Sequence, residues 1–267
     1  MGNESHGAQR KISAFRPSRA RRRSTRTFYH SNPARAARPR GIRRYGAGVT
    51  VAFIHTVLAL PATFGALADE LIAGTDVFHV VDESLLGVTR RSGVLTPVTK
   101  RRVLGHVESA AEAGADLVVV TCSSIGPAVD EGRSFVTVPT LRIDEPMADE
   151  AVRLGSRIGV LATLSTTLEP TAELVERRGR AAGKEVQVVP RLCDAAFDAL
   201  SDGDRDRHDE LVRAGLRALL DDVDVVVLAQ ASMARVTDGL ADAERPVPIL
   251  ASPRLGMERV AQLVHGG

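Results

Sequence analysis

Only two cysteines, Cys122 and Cys193, occur in the 267 residues. Two thiols make no disulfide framework, and no signal-peptide apolar core precedes them, so the composition reads as free thiols in a reducing cytoplasm. Cysteine and histidine spacing of the zinc type is missing as well, and no metal is expected. No apolar run approaches the roughly 18–20 residues that cross a bilayer, which excludes a transmembrane helix and a membrane partner. Nor is there a glycine-rich phosphate loop. "LGSRIG" at 154–159 comes before its strand, whereas a dinucleotide fingerprint follows one, so no nucleotide cofactor is expected.

What is there is ordinary in bulk and uneven in distribution. A hydrophobic content of 44% with 25% charged residues suits a soluble globular protein. The length allows one large domain or two small ones with a sizeable core. The net charge of +2 hides two different parts. Residues 1–47 hold thirteen Lys/Arg and a single acid, Glu4, whereas 48–267 hold 22 basic and 32 acidic residues, a net charge of −10. So apolar-poor a leader cannot bury enough surface to offset its ordering entropy, and it reads as disordered. It suits a nucleic-acid arm or a transit peptide. We favour a third origin, a translation start placed upstream of the real one near Val49, because the first strand begins there without linker chemistry. The acidic remainder argues against nucleic acid as a wider partner.

From residue 48 the chain alternates apolar strands with amphipathic helices. Strands are expected at 49–55, 76–82, 116–122 and within 135–143, and helices near 61–73 and over 97–114, the latter ending at Gly114. Then the pattern restarts. Strands fall at 156–163, 184–190, 224–230 and 246–252, with helices at 167–182 and 206–220 and another from about 254. This alternation predicts parallel sheets with right-handed crossovers. "DLVVVTCSSIG" at 116–126 and "DVVVLAQASMA" at 224–234 are the same phrase, and a shift of 108 residues sets Cys122 on Gln230, Ser124 on Ser232 and His55 on Thr163. A shift of 109 sets "VPTL" at 138–141 on "VPIL" at 247–250. A shared period signals duplication. Halves 48–155 and 156–267, the C-terminal segment free to cross back to the first, should then meet about a pseudo-twofold axis, with the carboxyl ends of their strands facing one cleft.

The phrases "VVVTCSSIGP" (118–127), "VPTLRIDEP" (138–146), "RIGVLATLSTTLEPT" (157–171) and "VVVLAQASM" (225–233) resemble the aspartate/glutamate/hydantoin racemase superfamily, which includes arylmalonate decarboxylase and maleate isomerase. The resemblance covers nearly all of 49–267. It implies an α/β fold of two flavodoxin-like parallel-sheet halves with the site in the cleft between them. It also implies cofactor-free chemistry at the carbon alpha to a carboxylate, on an amino acid or related small acid. Racemase members use two facing cysteines. Here Cys122 matches the first, while Gln230 stands where the second would be, and an amide moves no proton at neutral pH. Arylmalonate decarboxylase also keeps one cysteine, but in the opposite half.

By that resemblance Cys122 is the acid, base or nucleophile, Ser123 and Ser124 hold the substrate carboxylate, and Thr163, Thr166 and Thr167 form the carboxylate loop of the second half. Gln230 and Ser232 are expected to meet substrate oxygens. The residues themselves fit this chemistry. Cys122 follows a buried strand and precedes a helix start, where N–H groups lower a thiol pKa and can hold an enediolate. His55, ending the first strand, is a candidate second acid/base because imidazole titrates near neutrality. Cys193 reads as a packing or loop thiol, Asp82 and Glu83 as a solvated acidic turn, Asp144 as a helix N-cap, and His208 as part of a charged helix face. The expected function is racemase- or isomerase-like, with decarboxylase, lyase and non-catalytic small-acid binder as alternatives. A homo-oligomer stays open.

Overall fold

The computed structural model describes residues 48–238, 240–241 and 244–266. The basic leader, 1–47, lies outside the described residues, and the expectations about it with it. In chain order the elements are β1 (Thr50–His55), α1 (Leu60–Leu71), β2 (Asp76–Val81), α2 (Glu83–Ser92), α3 (Pro97–Glu112), β3 (Leu117–Val120), α4 (Gly126–Gly132), β4 (Thr140–Arg142) and α5 (Glu145–Leu154). The second run is β5 (Arg157–Ala162), α6 (Ser165–Ala181), β6 (Gln187–Leu192), α7 (Asp194–Ser201), α8 (Arg205–Leu220), β7 (Val225–Leu228), α9 (Ala234–Asp238), β8 (Ile249–Ala251) and α10 (Ser252–His265). Two four-stranded parallel sheets result, ordered β2-β1-β3-β4 and β6-β5-β7-β8. The two halves are written and wound alike.

Strand composition explains the layering. β3 and β7 are unbroken apolar runs, "LVVV" and "VVVL", buried at every residue. A strand covered on both faces needs no polar side. On β1, alternation sends Ala52 and Ile54 to a core under α3 and α4, and Val51 and Phe53 to one under α1. Each half lends its last helix to the other. Met147, Ala148, Ala151 and Val152 of α5 pack into the core of the second sheet, while Met257 and Val260 of α10 pack with Val51, Phe53 and Phe64 on the first. Gly256 lets α10 lie this close, since a Cβ there would meet the Ile143 carbonyl oxygen at 2.6 Å and its Cδ1 at 2.3 Å.

Besides the short α9, two helices, α2 and α7, fall where the sequence reading had none. α2 begins at Asp82, which is no mere solvated turn: its carboxylate accepts the Ser84 N–H at 3.1 Å as an N-cap and pairs with Arg102 at 2.7 Å and His106 at 2.8 Å. α7 holds the equivalent place after β6. Both were hidden because each spans too few turns for a clear period. His208, expected on a charged face, is instead fully buried on α8, with Nδ1 bonded to Asp209 at 2.8 Å.

Candidate active site

Parallel strands deliver their carboxyl ends to one edge, and there the duplicated phrases meet. Cys122 follows β3 and Gln230 follows β7. Each has extended backbone and opens a 3-10 turn, Ser123–Ile125 and Ala231–Met233 respectively. Cys122, Ser123, Ser124, Thr167, Gln230 and Ser232 all line one cavity of about 260 Å³. Ser124 and Thr167, from opposite halves, share a hydrogen bond of 2.8 Å. A larger groove of about 600 Å³ lies at the amino ends of β3 and β4 among charged residues, away from the thiol.

Three expected site residues do not line this cavity. His55 is fully buried and faces α1, because strand alternation puts it on the side of Phe53 and Phe64, whose ring centroids lie 6.1 and 5.6 Å from its own. The Thr121 hydroxyl donates to the Ile54 carbonyl at 3.1 Å and so accepts from His55 Nδ1 at 2.8 Å. Nε2 is then left to accept from His79 Nδ1 at 2.8 Å. Burial, and secondarily the neighbouring His79, push the His55 pKa down to about 4. With both nitrogens bonded inside the protein, it is no acid for the cleft. Thr163 is buried and binds Gln230 twice: its N–H donates to Oε1 at 2.8 Å, and its Oγ1 accepts from Nε2 at 2.7 Å. Thr166 is buried with an unpartnered hydroxyl.

The shift of 108 also needs correcting by one residue at β1. Thr121 N–H donates to Ile54 O at 3.0 Å, and its counterpart Ala229 N–H donates to Leu161 O at 2.9 Å. Ile54 therefore matches Leu161, and Thr163 matches Thr56 rather than His55. Thr56 lines the cavity, and its buried hydroxyl has no hydrogen bond of standard geometry, yet it lies close enough to act on the sulfur. The symmetry is thus broken chemically: one loop ties its amide to a threonine, and the other sets a thiol beside a threonine left free.

Burial pushes the Cys122 thiol up. The Thr56 hydroxyl, the N–H groups of Ser124 and Ile125 and the Ser124 hydroxyl pull it down without overcoming that effect. The lowered pKa expected from a helix start is therefore not found, because loss of water outweighs a three-residue turn. Cys193, in contrast, packs toward Gly215 of α8 and does not line the cavity.

Behind the thiol lies a buried ion network that the sequence reading missed. Arg142, 1% exposed, donates to Asp144 through Nε at 3.0 Å and Nη2 at 2.8 Å, and also to Asp130. Asp130 of α4 in turn accepts from Arg177 of α6 at 2.8 Å. Burial opposes charge on Asp144, but Arg142 and the Ser123 hydroxyl hold its carboxyl below the usual carboxylate range. Asp144 does occupy the N-cap position of α5, yet its side chain caps nothing. Gly126 makes room, since a Cβ there would lie 2.4 Å from the Arg142 Cζ. Had the buried sequence "TLRID" been weighed as a strand end, its lone arginine would have demanded such carboxylate partners.

Both α2 and α7 contribute to the cavity lining. Leu86 comes from α2, and Phe197, Leu200 and Ser201 come from α7. Arg90 of α2 links the two helices, its guanidinium 4.0 Å from the centroid of the Phe197 ring and 3.9 Å from Asp198.

Among solved structures, a glutamate racemase, RacE1, from Bacillus anthracis is 14% identical, with a TM-score of 0.65 over 83% of this chain and 83% of that one. Allantoin racemase from Klebsiella pneumoniae is 22% identical, with a TM-score of 0.58 over 81% and 88%. The aspartate racemase of Picrophilus torridus is 13% identical, with a TM-score of 0.60 over 82% and 100%. These likenesses show the fold. No curated protein sequence matches the chain. The model of the Asp/Glu/Hydantoin racemase family matches residues 63–260, well over half of the sequence. The chain therefore belongs to the Asp/Glu/Hydantoin racemase family, as a racemase-like enzyme of small acids.

Proposed function

We propose that the cavity carries out one-sided carbon-acid chemistry on a small carboxylate, with Cys122 as the single proton carrier. The observation that carries this reading is that, of the described residues lining the cavity, Cys122 alone carries an ionisable side chain. In the forward step the Cys122 thiolate takes the α-proton, and the electron pair left on carbon moves into the carboxylate to give an enediolate. The hydroxyls of Ser124, Thr167, Ser232 and Thr56, with the Gln230 amide, supply neutral donors for its oxygens, while the Ser123 hydroxyl is engaged by Asp144. The same sulfur then returns the proton to the same face, unless the intermediate turns before it does.

A second reading draws on the raised thiol pKa. A resting thiol is an acid rather than a base, and it suits proton delivery to an enediolate formed by loss of another group, as in decarboxylation or isomerisation. Incubating candidate acids with the enzyme in deuterated water separates the cases. Exchange at the α-carbon supports the first, and a deuterated product of lower mass or rearranged skeleton supports the second. Either activity should fall at least about 100-fold in Cys122→Ala. Ligand binding without turnover, indifferent to that substitution, would instead mean a sensor of small acids.

A further inference from the structure

We infer that the substrate is a monoanionic acid whose substituent is apolar and uncharged, with neither a second carboxylate nor an α-ammonium group. This rests on the reading of the cavity as the site of carboxylate chemistry and names the class of acid that fits it. Its apolar lining includes Val57, Leu60, Leu86, Leu164, Phe197 and Leu200. Besides Cys122, its polar lining consists of serine and threonine hydroxyls and the Gln230 amide, and the N–H groups of Ser124 and Ile125 point to the sulfur. Among the described residues lining the cavity, none is Asp, Glu, Lys, Arg or His.

That uncharged lining decides what can enter. One carboxylate can be met by the converging neutral donors, because N–H and O–H groups at strand and helix ends satisfy an oxyanion without a counter-charge. A second carboxylate on the substrate would press against leucine and phenylalanine, lose its water and find no cation. An α-ammonium would likewise find no carboxylate. Arg90 is not among the lining residues: its guanidinium is stacked on the Phe197 ring, 4.0 Å from the centroid, and lies 3.9 Å from Asp198. Arg142, behind the thiol, is already bound to Asp144 and Asp130. An apolar substituent, in contrast, gains from burial against the leucine wall.

The test uses the full chain with 2-hydroxy-4-methylpentanoate, 3-phenyllactate, leucine, aspartate and glutamate. Binding is read by calorimetry and α-proton exchange by mass in deuterated water. The two hydroxy acids should bind at least 100-fold more tightly than aspartate or glutamate, and at least 10-fold more tightly than leucine. Leu86→Arg and Leu200→Lys each place a cation on the apolar wall from a half-buried position, and either should narrow or reverse the preference. Equal or tighter binding of aspartate or glutamate by the unaltered protein overturns the inference, as does failure of the hydroxy acids to bind at all. If the hydroxy acids bind with the stated preference but exchange no proton, the substrate class stands and the proton-transfer reading of Cys122 falls.

Discussion

Lowering the pH from 7.5 to 4.5 should destabilise this protein through His55, and replacing that residue by phenylalanine should remove the effect. The folded pKa is about 4, and an unfolded histidine titrates near 6.5. Between those values the unfolded chain binds about one proton more than the folded chain, so stability rises with pH. The neutral form built into the Thr121–His55–His79 chain is thus fully supported above pH 6.5, and its contribution is lost as pH falls toward 4. At about 1.36 kcal/mol per unit, integrated over the window, the loss from pH 7.5 to 4.5 is at most about 2.5 kcal/mol. His79, whose pKa burial also lowers, acts in the same direction. Phenylalanine keeps the stack with Phe53 and Phe64 and leaves Thr121 bonded to the Ile54 carbonyl. Urea unfolding at pH 7.5, 6.5, 5.5 and 4.5 measures the difference and cancels the carboxylates common to both proteins. The wild type should lose about 2 kcal/mol more than His55→Phe over that range. Parallel stability curves would refute the assigned burial and tautomer.

Other consequences are equally direct. Gly126→Ala drives a Cβ into the Arg142 guanidinium and should cost about 3 kcal/mol, read from the urea midpoint, because a buried ion pair is disturbed without being removed. Gln230→Leu strips Thr163 of both hydrogen bonds and should cost about 1–3 kcal/mol by the same measurement. Alkylation of Cys122 by iodoacetamide should be slower at pH 7 than that of a free cysteine, and should accelerate with pH to a plateau above the free thiol's range; a rate that levels off near neutrality would contradict the raised pKa. If the thiol acts as an acid, kcat/KM should be flat through neutrality and fall above that same range. If it acts as a base, kcat/KM should rise instead.

The repeated phrase was enough to find the thiol and its opposite amide. A strand that must be apolar on both faces, followed by small polar residues, leaves little freedom in where its end lies, so Cys122 and Gln230 could be placed in one cleft from their period alone. Ser123, Ser124, Thr167 and Ser232 followed for the same reason. The sequence went astray where a slip of one residue changes the face. His55 and Thr56 are neighbours, yet one stacks under α1 while the other lines the cavity. A numerical shift between repeats carries no information about strand register, which hydrogen bonds alone fix.

By itself, then, the sequence determined the duplicated α/β scaffold, the parallel sheets and the single thiol at their meeting edge, because strand burial and periodicity are local properties written in residue type. Only the tertiary structure decided the direction of the Cys122 pKa, the absence of His55 from the cavity lining, the burial of Arg142 between two carboxylates and the apolar lining that α2 and α7 contribute. Each depends on how much water a group loses and which distant side chain it meets. Desolvation and pairing belong to the packed chain as a whole.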